Sequence, residues 1–225
     1  MIIKNQQLTV TVAALFCLLS LGLSTGQTAQ TIVFGAQTDD SLGLQNGTAV
    51  PLNSQILLGY YTVAVTSSTF TAFTSASQFL NDFTQLGSAT MGFDVDSDPG
   101  TPNEAGLFAG GANILTGVAT HNGKQLVYIV GNSSTIAASS QLGVFTSTSW
   151  ILPNNPSGPT PQVVSTDINQ VINNSSGILF GGFTTAGGPY GDLYRLQVVI
   201  PEPSTASLMM IGAAGLVALR RLRKV

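Results

Sequence analysis

Four carboxylates crowd one short stretch of this chain: Asp94, Asp96 and Asp98 alternate, and Glu104 follows. Alternating acids place oxygen ligands within reach of one hard cation, the donor set that calcium prefers. An EF-hand loop needs its glycine at the sixth position and a bidentate glutamate at the twelfth. Here Gly100 is seventh, Glu104 is eleventh and Pro99 interrupts, so the motif is not that one. Asp94, Asp96, Asp98 and Glu104 are the candidate metal ligands, and calcium is the one candidate cofactor. An acidic, solvated loop after a strand explains the same residues more simply, because Asp, Pro and Gly are ordinary turn formers.

Other residue types that do chemistry are sparse. His121 is the only histidine, directly before Asn122-Gly123, where a solvent-facing turn residue is the expectation. A hydrolase triad would need it beside an activated serine and an orienting acid, yet no serine sits in a Gly-x-Ser-x-Gly setting. A zinc site is worse served still, with one His and no mature Cys. Gly110-Gly111, Gly181-Gly182 and Gly187-Gly188 lack both phosphate-binding fingerprints and read as turn or bulge glycines. Asp39, Asp40, Asp82, Asp167 and Asp192 are scattered, with no readable pairing for glycosidase work. Tyr60, Tyr61, Trp150, Tyr190 and Tyr194 form the pool for a sugar-binding face, although most should be core. The Asn-x-Ser/Thr triplets at Asn46, Asn132, Asn173 and Asn174 follow from an Asn- and Ser-rich composition. No catalytic residue is assigned, and a noncatalytic protein is expected.

The elements around these residues begin and end with apolar runs. Lys4 precedes the apolar stretch 8–23, and Ser24-Thr25-Gly26 supplies small residues at the cleavage positions, as in a secretory signal peptide cut after Gly26, or alternatively after Ala29. Cys17 leaves with that peptide, so the mature chain has no cysteine and no disulfide to brace it. At the other end, Pro201 and Pro203 fix φ around Glu202 and hold the segment extended. Residues 205–219 carry no charge. At roughly 1.5 Å per residue they span about 22 Å as a helix, a thin single crossing of a roughly 30 Å hydrocarbon core. Arg220, Arg221, Arg223 and Lys224 then keep that end cytoplasmic.

Pro201-Glu202-Pro203, the hydrophobic helix and the Arg-rich end, in that order, resemble the PEP-CTERM sorting domain of bacterial surface proteins. The common form has Val before the first proline, where this chain has Ile200. The resemblance covers about a ninth of the chain. It implies recognition by a membrane-embedded exosortase, cleavage near Pro201-Glu202-Pro203, and export to the surface or the extracellular matrix. It implies nothing about residues 30–199.

Between the two ends, Lys124 and Arg195 face nine acids, a net charge of −7 over residues 27–200. That balance excludes nucleic acid and an anionic membrane surface as partners. Strands are expected at 30–35, 57–66, 112–119, 124–130, 142–146, 149–152, 177–180 and 192–200. Asn122-Gly123 should close a type I′ hairpin between 112–119 and 124–130. Ser75 to Leu86 carries Phe79, Leu80, Phe83 and Leu86 at helical spacing, with Gly87 as its stop. Residues 153–161 read as a proline-rich loop.

The expected organisation is a signal peptide over 1–26, an extracytoplasmic domain over 27–199 and a sorting anchor over 200–225. The domain is expected to be mainly β, an antiparallel β-sandwich with one short helix, flanked by an N-terminal signal helix and a C-terminal transmembrane helix. Expected partners are signal peptidase, exosortase, the membrane before processing, and exopolysaccharide. A structural or adhesive surface role fits best; a lectin-like or carbohydrate-active protein is the alternative.

Overall fold

The computed structural model describes residues 29–36, 40–92, 104–115, 121–153, 162–171, 176–188 and 191–199. The signal peptide, the tail from Ile200 onward, Asp94, Asp96, Asp98, Tyr190 and the proline-rich loop beyond Pro153 lie outside them.

Twelve strands and one short α-helix occur among the described residues. The strands are β1 (Ala29–Ala36), β2 (Asp40–Gly43), β3 (Gln55–Tyr61), β4 (Phe83–Thr90), β5 (Phe108–Leu115), β6 (Gln125–Gly131), β7 (Gln141–Ile151), β8 (Gln162–Asp167), β9 (Ile178–Phe180), β10 (Gly182–Gly188), β11 (Gly191–Arg195) and β12 (Gln197–Val198). The helix α1 spans Ser67–Thr71. The largest sheet runs β12-β7-β6-β3-β4, with β9 also pairing to β7, and every pairing in it is antiparallel. Two three-stranded sheets, β5-β1-β8 and β10-β11-β2, accompany it.

The large sheet is buried on both faces, which is why β3 and β6 read as continuous apolar runs rather than alternating ones. Ile56, Leu58 and Tyr60 of β3 and Leu126, Tyr128 and Val130 of β6 join Ile32 and Phe34 of β1 and Phe108 of β5 in one core. The intervening Leu57, Tyr61, Val127 and Ile129 face a second core with Phe70, Phe79, Ile136 and Phe180. Tyr128 ties the first core together. Its ring lies 5.9 Å from that of Phe34 and 4.7 Å from that of Trp150. Its Oη lies 2.6 Å from Thr166 Oγ1 on β8.

A register irregularity opposite β6, between Gln125 and Val127, changes the side-chain parity of β7. Phe145 and Trp150, five positions apart, therefore share the first core although a regular strand would send them to opposite faces.

The β-rich expectation holds, and three details differ. First, the two small sheets are mixed: β1 runs parallel to β8, and β11 parallel to β2. The second face of the large sheet lies under α1 and short 3₁₀ turns rather than open to solvent. Second, the segment expected as a helix over 75–86 is a 3₁₀ turn, Ala76–Leu80, capped by Ser75. Asp82 takes φ 57°, which a continuing right-handed helix does not allow, and Phe83 opens β4. Phe83 then stacks edge-on against Tyr61 at 5.2 Å, so cross-strand pairing wins over the local helical spacing.

Third, β5 and β6 do not form a hairpin; β5 pairs with β1, while β6 pairs with β3 and β7. Gly123 has the positive φ of a turn, at 64°, but Asn122 does not join it. A type I′ turn requires both. The expected strands 142–146 and 149–152 are one continuous β7. Residues 192–200 resolve into β11 and β12.

Candidate functional site

Glu104 is the one expected metal ligand among the described residues. It is half-buried, and its Oε2 is enclosed without a hydrogen-bond partner. Asp94, Asp96 and Asp98, which would complete the set, lie outside the described residues. Among the described residues no group of three or more His, Cys, Asp or Glu could hold a metal ion.

Asp40, Asp167 and Asp192, scattered along the sequence, all act electrostatically on Tyr194. Asp40 and Asp192 are register partners on the parallel pair β2 and β11. Burial first, and then the three carboxylates, push the Tyr194 phenol above the ordinary tyrosine range. Its Oη donates to the Val171 carbonyl at 3.2 Å. Burial likewise raises Tyr61, whose Oη donates to the Phe79 carbonyl at 2.7 Å. Tyr60, Tyr61, Trp150 and Tyr194 are all core residues, so none of the four presents a ring face to a sugar. Asn46 and Asn132 use their side chains to hold turns, through Thr48 and through the amides of Ser140 and Gln141.

His121 departs from expectation. It is half-buried rather than solvent-facing, with Nδ1 2.9 Å from Tyr60 Oη and the rings edge-on at 5.6 Å. Lys124, three residues on, places Nζ 5.8 Å from the centre of the Tyr60 ring. A turn fixes both: the Lys124 amide donates to the His121 carbonyl at 3.3 Å, and the Leu152 amide donates to the Lys124 carbonyl at 2.9 Å. Tyr60, clamped in the core, thus positions a histidine and a lysine at the entry to β6.

Lys124 also lines an open groove of about 660 Å³. It is lined by the buried Tyr61, Val127 and Leu179 and by the exposed segment 62–64, which leaves β3. Gln125, Thr146 and Ser176 also line it, and among the described residues no carboxylate does. The groove was not legible in the sequence, because its residues come from four separate segments. The one available signal was that Lys124 is one of two cations in the body.

The described residues run up to the tail. β12 pairs with β7, and Val199 is buried in the second core with its amide donating to the Ser140 carbonyl at 3.1 Å. A family model described as the PEP-CTERM protein-sorting motif matches residues 199–224. The tail is a PEP-CTERM sorting motif. It marks an exported protein, sorted by exosortase and directed to the cell surface. No curated protein and no solved structure matches the chain. Among the described residues, no helix is long and apolar enough to cross a membrane.

Proposed function

We propose that residues 27–199 form a noncatalytic structural or adhesive module, displayed at the cell surface or in the extracellular matrix after exosortase cuts the PEP-CTERM tail. The observation that carries this reading is the junction at Val199. Val199, the last of the described residues, is buried in the second core and is also the first residue of the sorting match. A cut within 200–204 therefore removes the apolar and basic segments while leaving β12 and its packing whole. Those five residues, extended at roughly 3.3 Å each, reach about 16 Å. A link of that length would keep the body of the precursor close to the membrane.

The other terminus supports the same trimming. Ala29 already pairs with Leu115 as the first residue of β1. Cleavage after Gly26 leaves that strand intact, whereas cleavage after Ala29 removes a paired residue. Signal peptidase and exosortase would then release a body with β1 and β12 intact. The carbohydrate-binding alternative would have to use a surface other than Tyr60, Tyr61, Trp150 and Tyr194.

The test is replacement of Glu202 and Pro203 by alanine, followed by cell fractionation. The proposal expects the unprocessed chain to accumulate in the membrane. Undiminished release of the body would refute the assigned route.

A further inference from the structure

The chain holds two Asn-Gly pairs, Asn46-Gly47 and Asn122-Gly123. Both invite the same reaction. The glycine amide nitrogen gives up its proton to solvent base and attacks the asparagine Cγ; ammonia leaves, and a succinimide ring closes. Water then adds to either ring carbonyl, opening it to aspartate or to its β-linked isomer. Glycine favours the attack because no Cβ shields its nitrogen. In an unfolded chain the two pairs should react alike, and the fold is what separates them.

At the first pair both reacting groups are held. Asn46 Oδ1 accepts from the Thr48 amide at 3.1 Å and from the Thr48 hydroxyl at 2.8 Å. The Gly47 amide donates to the Leu44 carbonyl at 2.9 Å, and the Leu44 amide donates to the Thr48 carbonyl at 2.7 Å, closing the turn on itself. At the second pair the Asn122 side chain makes no hydrogen bond among the described residues and is only half-buried. What restrains the attack there is one bond, from the Gly123 amide to the Leu152 carbonyl at 2.9 Å. That bond lies beyond the register irregularity between Gln125 and Val127, at the outer end of the β6–β7 pairing, where Ile151 is 48% exposed. Opening costs least at such an end. We propose that Asn122 is a spontaneous deamidation site of the folded body, and that its turn holds Asn46 unreactive. The aspartate product places a carboxylate between His121 and Lys124 in the chain. The β-linked product also lengthens the main chain inside the turn that the Lys124 amide closes on the His121 carbonyl at 3.3 Å. Neither step depends on the sorting route.

The experiment incubates the full-length chain in zwitterionic detergent micelles and mildly alkaline buffer, beside a sample unfolded in urea. Fragment-ion mass spectrometry follows the gain in mass from amide to acid at each asparagine. In urea, Asn46 and Asn122 should convert at similar rates. In the folded chain Asn46 should convert about tenfold or more slowly than Asn122, as two further hydrogen bonds of ordinary net strength imply. Thr48→Val, at an exposed position, removes the hydroxyl that holds Asn46 Oδ1 and should speed conversion of Asn46 while leaving Asn122 unchanged. Amide exchange on the folded chain should be faster at Gly123 than at Gly47. Equal conversion of the two asparagines in the folded chain would overturn the proposal. So would an unaltered Asn122 after the urea sample has fully reacted, or a Thr48→Val chain whose Asn46 stays as slow as before.

Discussion

Tyr128 shows how much a single side chain can bind together here. It is fully buried on the large sheet, yet its Oη reaches Thr166 on a different sheet, and Thr166 Oγ1 donates in turn to the Val33 carbonyl at 3.4 Å. Tyr128→Phe should cost about 1–2 kcal/mol at neutral pH, since it strands buried polar partners. Burial, and secondarily Asp167, push the Tyr128 phenol above the ordinary tyrosine range, while the Thr166 hydrogen bond opposes them. A phenol raised in the folded state holds its proton after the unfolded chain has lost it. Its stabilising contribution is therefore complete below about pH 10 and declines as pH rises beyond that. The variant lacks that proton, so the gap between it and the parent should narrow above about pH 10. Urea denaturation at pH 7 and pH 10.5 checks both signs; a gap that widens with alkali would contradict the account.

At the scale of the element, the pairing of β3 with β4 decided against a helix. Phe79, Leu80, Phe83 and Leu86 do recur at helical spacing, but the left-handed Asp82 splits them between a 3₁₀ turn and a strand. Local spacing cannot report that split, because the deciding contacts come from β3, more than twenty residues away. By contrast, β3, β6 and β7 were legible as strands, since burial on both faces leaves long β-branched and aromatic runs, and β1 was legible from its Thr31-Ile32-Val33-Phe34 run. The short β2 and the glycine-rich β10 were not, because neither carries a run long enough to register. In β8 the only such signal is the pair Val163-Val164. Gly59 marks how closely β3 and β4 approach: a Cβ there would collide with the Thr84 carbonyl oxygen and the Phe83 ring. The register shift between β3 and β4 falls at this same point. Gly59→Ala should therefore cost about 1–3 kcal/mol. Thermal and urea unfolding read the loss, and an unchanged midpoint would mean that the two strands separate easily.

Across the whole molecule, the two ends and the middle were legible to different degrees. The tail could be read residue by residue, because prolines, an uncharged run and terminal arginines act through their own chemistry. The body's pairing could not, because β1 meets β8 and β2 meets β11 across most of the chain length. The groove was hidden for the same reason, being assembled from residues near 63, 125, 146 and 177. His121 illustrates the boundary: its turn was foreseen, and its bond to Tyr60 was not. What joins the scales is Val199, which is packed in the second core and is also the first residue of the sorting match.

That junction is most directly tested by mass spectrometry of the polypeptide recovered outside the cells, in parallel with a strain lacking exosortase. The account predicts a body that begins at Gln27 and ends within residues 200–204, present only when exosortase is active. Recovery of the unprocessed 225-residue chain, folded and soluble in the cytosol of both strains, would contradict it.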